Sequence, residues 1–207
     1  QWNKRSDFSR TKTTNFTFAY NNNFLKLDAS ASYYLISNHL YFIPSTGLDK
    51  AIVPEQFSGD ISLLQLKVGK QVDAGSFHIN AFGVYQKTNQ QDILRTPEVY
   101  LFGSIYKDQT FFKTLKTQLG VDIFYNDTYL AKSYSIPASQ FYNGDDITFS
   151  SKPIVDAWVK VGLRRANLFA KYQYVNQGLF SGGYYTVNRY PMPDRLLTLG
   201  FTWNFYD

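Results

Sequence analysis

Imidazole is the side chain that titrates near neutral pH without a shifted pKa, so His39 and His78 are the first residues to test for acid–base chemistry. Neither has a serine or aspartate at a spacing that suggests a hydrolase, and both read as histidines of a turn and a wall. No catalytic residue is assigned. The acids Asp92, Asp127, Asp145 and Asp146 fall between apolar-periodic segments and offer the oxygen ligands that Ca²⁺ takes. The run Asn143-Gly144-Asp145-Asp146 lacks a spaced D-x-D-x-D pattern, however, and reads as a hydrophilic turn. There is no cysteine, which excludes disulfides and thiolate metal sites. Gly182–Gly183 has no following lysine or helix start, so no phosphate cradle is implied. Asn15-Phe16-Thr17 and Asn126-Asp127-Thr128 fit the N-x-S/T pattern by chance. No metal and no cofactor is expected.

The elements that carry these residues are strands. In Leu196–Asp207, the side chains of Leu197, Leu199, Phe201, Trp203 and Phe205 are apolar at every second position, and those between are mostly small or polar. Strand side chains alternate between faces, so one face is greasy and the other mixed. Aromatics crowd the end of this strand, as in the closing, membrane-inserting strand of an outer-membrane barrel. The same sense of alternation recurs over 24–36, 76–88, 112–126, 153–163 and 166–176. Further segments at 10–20, 39–43, 59–70 and 98–108 bring the total, with 195–206, to about ten strands.

Composition agrees. Aromatics make up 18% of 207 residues, with 17 Tyr, 18 Phe and 3 Trp, yet mean hydropathy is −0.31. A transmembrane barrel has this character because only one face of each strand meets lipid. No run of about 18 apolar residues exists, so a membrane-spanning helix is excluded. Net charge is +5, but the 21 lysines and arginines are scattered, which argues against nucleic acid. The length fits one barrel domain, 1–207. A barrel must be exported, and a chain opening on Gln1 without a signal peptide implies a processed or truncated start.

Connections alternate in length. Short turns are predicted at 36–39, 70–76, 108–112 and 163–166, and long connections at 44–58, 89–97, 127–152 and 177–194. The short link Tyr20–Phe24 breaks the rule. Periplasmic turns of barrels are brief and extracellular loops extended, so Arg164–Arg165 is expected in the periplasm and 127–152 and 177–194 outside. An even strand count places both termini on the periplasmic side.

The C-terminal half resembles the putative porins of the Bacteroidota outer membrane. KTLKTQLGVDIFYNDTYLAKSYSIPASQFYN (113–143) is similar to that family's strand-plus-loop block. KPIVDAWVKVGLRRANLFAKYQYVNQGL (152–179) resembles its P-x-V-D hairpin, and YPMPDRLLTLGFTWNFYD (190–207) its terminal strand. Weaker likeness (ISLLQLKVGK, PEVYLFGSIY) reaches back to about residue 40. The resemblance implies a transmembrane antiparallel up-and-down β-barrel in the bacterial outer membrane, passive diffusion, and no catalytic residues. Members of the family are several times longer, which leaves two alternatives: a compact barrel or the C-terminal segment of a larger one.

On the barrel reading, Lys26, Asp28, Lys67, Lys116, Asp122, Asp156, Lys160 and Lys171 line the pore. Lys160 and Lys171 lie near Asp122 and Asp156, so cross-lumen salt bridges are expected. This mixed set suits either a solvated, self-paired lumen or a weakly anion-preferring pore. Tyr125 with Tyr129, Tyr172 with Tyr174, and Trp203 with Phe205 are expected in interfacial belts. Tyr184, Tyr185 and Tyr190 suit either loop packing or carbohydrate stacking. Two functions follow: a porin-like channel for small solutes, or a non-catalytic structural or accessory subunit of an outer-membrane complex. Expected partners are outer-membrane lipid, lipopolysaccharide and, for the second function, neighbouring outer-membrane proteins.

Overall fold

The computed structural model describes residues 8–47, 50–149, 152–163, 165–180, 183–203 and 205. Arg164 and Gly182, and positions 204 and 206 of the predicted last strand, lie outside the described residues.

Among the described residues, nine long strands form one antiparallel sheet: β1 (Lys12–Asn22), β2 (Leu27–Pro44), β3 (Ile52–Ala74), β4 (Phe77–Thr88), β5 (Val99–Phe111), β6 (Leu115–Asn126), β11 (Ile154–Gly162), β12 (Ala166–Gln173) and β15 (Leu196–Trp203). They pair in chain order, so the topology is up-and-down, with β1 and β15 as the two edges of an open sheet. Loop elements fill the gaps: α1 (Gln91–Leu94), β7 (Tyr129–Leu130), β8 (Ser133–Ser135), β9 (Gln140–Tyr142), β10 (Thr148–Phe149), β13 (Tyr185–Val187) and β14 (Tyr190–Pro191). Among the described residues no helix is long and apolar enough to cross a membrane.

The register sorts side chains onto two faces. One row runs Phe18, Ala31, Leu66, Tyr85 across β1 to β4; another runs Ile79, Ile105, Val121, Ala157, Tyr172, Leu197 across β4 to β15. Leu199 pairs with Ala170, Phe201 with Leu168 and Trp203 with Ala166 on this same apolar face. Phe18 and Leu199 are 74% and 70% exposed, and none of the described residues covers the band. A sheet this apolar and this bare needs lipid as its solvent. Tyr125 and Tyr172 stand on this face near the loop ends, and Trp203 near the turn end. Phe205 lies beyond the end of β15. Tyr129 and Tyr174 depart from the expected belts: Tyr129 sits in a loop strand against Phe149, and Tyr174 is buried against Tyr184.

The predicted strands 24–36 and 39–43 are one strand. At Ser37/His39 the β2–β3 register slips by a residue, and Asn38 adopts φ 56° in the left-handed region. Asparagine tolerates that conformation, and a bulge uses it much as a turn does. Thr11 Oγ1 (2.7 Å) and Gln56 Nε2 (2.9 Å) donate to the Asn38 carbonyl and hold the kink. The predicted turn at 36–39 is therefore corrected to a bulge, and His39 moves from the turn side to the loop side. With it the alternation of connections becomes strict. Links 23–26, 75–76, 112–114 and 163–165 are short, and 45–51, 89–98, 127–153 and 174–195 are longer. Nine wall strands rather than an even count put the start of β1 at the loop end, opposite the end of β15.

Gly75 alone has positive φ (63°) in the two-residue β3–β4 turn, as a II′ hairpin requires. At the β5–β6 turn the same need falls on Phe112 (φ 50°) and Lys113 (φ 62°), residues for which this region is strained.

Candidate functional site

The second face of the sheet carries the polar residues, and register brings them into rows. Asp73, His78, Tyr106, Gly120, Trp158, Lys171 and Thr198 lie side by side across seven strands, and Ser104, Asp122 and Asp156 form the next row.

Lys171 is the centre of this surface. Its Nζ lies 3.2 Å from Asp122 Oδ2 and 3.0 Å from Asp156 Oδ2, and 5.7 Å from the centroid of the Phe124 ring. The two aspartates stand directly opposite each other on β6 and β11. Like charges in that position repel, and the ammonium between them turns the repulsion into a bridge. The remaining carboxylate oxygens are also satisfied. Ser104 Oγ (2.7 Å) and Trp158 Nε1 (2.8 Å) donate to Asp122 Oδ1, and the Tyr174 amide donates to Asp156 Oδ1 at 2.9 Å. This is the salt bridge expected from Asp122, Asp156 and Lys171, made along the wall rather than across a lumen.

Trp158 reaches Asp122 because Gly120 leaves room. A Cβ at Gly120 would stand 2.3 Å from Trp158 Cζ2, so the indole fills the space a side chain would take. The indole is 5.8 Å from the Tyr106 ring, and Tyr106 stacks on His78 at 4.8 Å. His78 Nδ1 is 2.5 Å from Asp73 Oδ1 and its Nε2 is 3.1 Å from Asp108 Oδ2. Two carboxylates and an aromatic face thus fix the orientation of the His78 ring.

The other predicted lining residues fall on or beside the same face with different fates. Lys26, in the β1–β2 turn, pairs with Asp73 at the turn-side rim. Asp28 accepts from the Asn21 amide. Lys160 makes no bridge to the aspartates and lies over the Trp158 ring, 4.7 Å from its centroid. Lys67 and Lys116 make no ion pair among the described residues. Lys116 and Lys160 border a hollow of about 510 Å³ with Asp108 and Phe169.

Sequence reasoning missed Arg95. Its side chain is 6% exposed and donates to the Ala131 (2.9 Å), Gly144 (3.2 Å), Asp145 (3.3 Å) and Asp92 (3.1 Å) carbonyls, and to Asp146 Oδ1 at 2.7 Å. Asn143 adds bonds to the Asp92 and Ile93 carbonyls, and its amide donates to Phe42. Asn188 joins the third loop through Ser133 Oγ at 3.1 Å and the Lys132 carbonyl. Burial and the nearby Arg95 charge push the Lys132 ammonium below its usual pKa. The loop acids are thus dispersed: Asp146 on Arg95, Asp145 3.7 Å from Arg189, and Asp127 accepting the Val99 amide. Among the described residues, no three such groups converge on a metal position.

A family model for putative porins matches residues 1–207, the whole chain. The chain belongs to that family. No curated protein sequence matches it. Among solved structures, the FrpB iron transporter from Neisseria meningitidis is similar in its F3-3 variant, at 14% identity and a TM-score of 0.58. The F5-1 variant in its apoprotein form is similar at 14% identity and a TM-score of 0.57. Each alignment covers 92% of this porin-family chain and 30% of the transporter chain, so the chain spans about a third of the length of these neighbours. Identity this low carries the fold alone, and the fold is that of an outer-membrane β-barrel wall. Family and fold together locate the porin-family chain in the outer membrane and point to transport or structure rather than catalysis.

Proposed function

We propose that this chain forms wall of a porin-like channel through which small solutes diffuse down their gradients. The observation that carries the reading is the division of the sheet: one face is bare and apolar, and the other bears a continuous polar surface with a tied loop cap at one end. The polar face lines the lumen. The short turns face the periplasm, and the loops face lipopolysaccharide and the medium.

The charges of the lumen face set its preference. Asp73 is paired with Lys26, and Asp122 and Asp156 share Lys171, whereas Lys67, Lys116 and Lys160 have no carboxylate partner among the described residues. Unpaired lysines along a water-filled wall favour anions. Planar-bilayer recordings of the pure folded protein test both parts. The expected result is an ohmic conductance with a reversal potential in a KCl gradient that indicates weak chloride preference. Absence of current refutes the channel, and cation preference refutes the lining.

A further inference from the structure

A cavity of about 620 Å³ lies where the loops 127–153 and 174–195 fold back over the polar face of β6, β11 and β12. That size is within the range of small-molecule sites. Its lining includes the rings of Phe124, Phe149, Tyr174, Tyr184 and Tyr185. The rings support one another: Tyr174 meets Tyr184 edge-on at 5.2 Å, and Phe149 lies 5.7 Å from Tyr185. Tyr129 Oη donates to the Thr186 carbonyl at 3.2 Å and fixes the strand that presents Tyr185. Such aromatics are held in place before any ligand arrives.

The polar lining is selective in what it leaves free. Its charged groups are already engaged. Lys171 bridges Asp122 and Asp156, the second Asp156 oxygen takes the Tyr174 amide, and Asp194 accepts from the Gln177 amide. An anion entering here would have to break the Lys171 bridge to find a cation, and the lining carboxylates already accept hydrogen bonds. By contrast, the Gln173 amide, the Thr148 hydroxyl and the side-chain carbonyl of Asn126 line the cavity with no partner among the described residues. Free neutral donors and acceptors beside fixed aromatic faces match a ligand with C–H faces and many hydroxyls.

We propose that this cavity binds a neutral polyhydroxylated solute, a sugar unit stacked on its rings and hydrogen-bonded by Gln173, Asn126 and Thr148. This deepens the channel reading by naming a solute class, and it rests on that reading only for the route by which the sugar arrives. Binding is measurable without current, so the two can fail separately.

The test is calorimetric titration of the pure folded protein in detergent with maltose, with choline and gluconate as cationic and anionic probes. Maltose carries two hexose rings with C–H faces and ring hydroxyls and no charge, so it presents the chemistry the lining calls for. Saturable maltose binding at the millimolar level or tighter is expected, with neither ion competing. Replacing Tyr184→Ala together with Tyr185→Ala should weaken it by about tenfold or more, as the loss of two ring contacts implies. Gln173→Ala, a wall substitution that leaves the loops intact, should weaken it several-fold, and Lys116→Ala should leave it unchanged. Heat-dependent gel migration verifies that each variant is folded. Absence of saturable maltose binding, tighter binding of choline or gluconate, or an unaffected Gln173→Ala variant would overturn the proposal.

Discussion

Replacing Lys171→Met keeps the length and apolar stem of the side chain and removes its charge. It leaves Asp122 and Asp156 facing each other across adjacent strands, where directly opposed Cβ atoms are about 5 Å apart. At an effective dielectric constant of about 20, two unit charges at that separation repel by about 3 kcal/mol. Screening reduces this only modestly, because the Asp122 and Asp156 side chains are 14% and 8% exposed. In the parent the attraction of the Lys171 ammonium for both carboxylates offsets this repulsion. The variant keeps only the repulsion, so its loss should fall in the roughly 3–5 kcal/mol range seen on removing one member of a buried ion pair. Urea unfolding in lipid vesicles, followed by the loss of the fast-migrating folded band, measures it. Adding Asp122→Asn to Lys171→Met removes the repulsion and should recover most of the loss. A single variant as stable as the parent, or a double variant no better than the single, would refute the account of the bridge.

Arg95→Ala should release the loops without unfolding the wall: trypsin or proteinase K should cleave 127–153 at least several times faster, while urea resistance of the barrel stays close to the parent. Leu199→Arg on the apolar face should cost about 2–4 kcal/mol in the same vesicle assay, and Thr198→Arg on the opposite face far less; equal costs would mean the faces are misassigned. Lys113→Gly should stabilise the protein by about 1 kcal/mol, because glycine adopts the observed φ of 62° without strain. A lower unfolding midpoint for this variant would show that the turn differs in solution.

Strand alternation in Leu197, Leu199, Phe201 and Trp203, or in Leu119, Val121 and Ile123, is enough to identify the faces, because a period of two is a local property. The same holds for the proximity of Lys171 to Asp122 and Asp156, which sit at matching depths on neighbouring strands. Asn38 was ambiguous in principle. A left-handed asparagine serves a turn and a bulge equally well, and only the pairing of β2 with both flanking strands decides between them. Lys160 shows the limit of depth matching: it shares a face with Asp156 but settles on Trp158. Arg95 lay beyond reach for another reason. Its partners at 131, 144, 145 and 146 are 36 to 51 residues away in loops with no periodicity to fix their positions.

The recess at Gly120 has a consequence for how such a wall can evolve. Trp158 is possible because its cross-strand neighbour has no side chain, and a side chain at 120 would drive the indole off Asp122. Phe169 and Gly200 repeat the arrangement on β12 and β15, where a Cβ would stand 1.9 Å from the ring. Neither member of such a couple can drift alone. Related chains should either keep both or exchange both, so that joint substitution at 120 and 158, and at 169 and 200, becomes a record of strand register written in sequence variation.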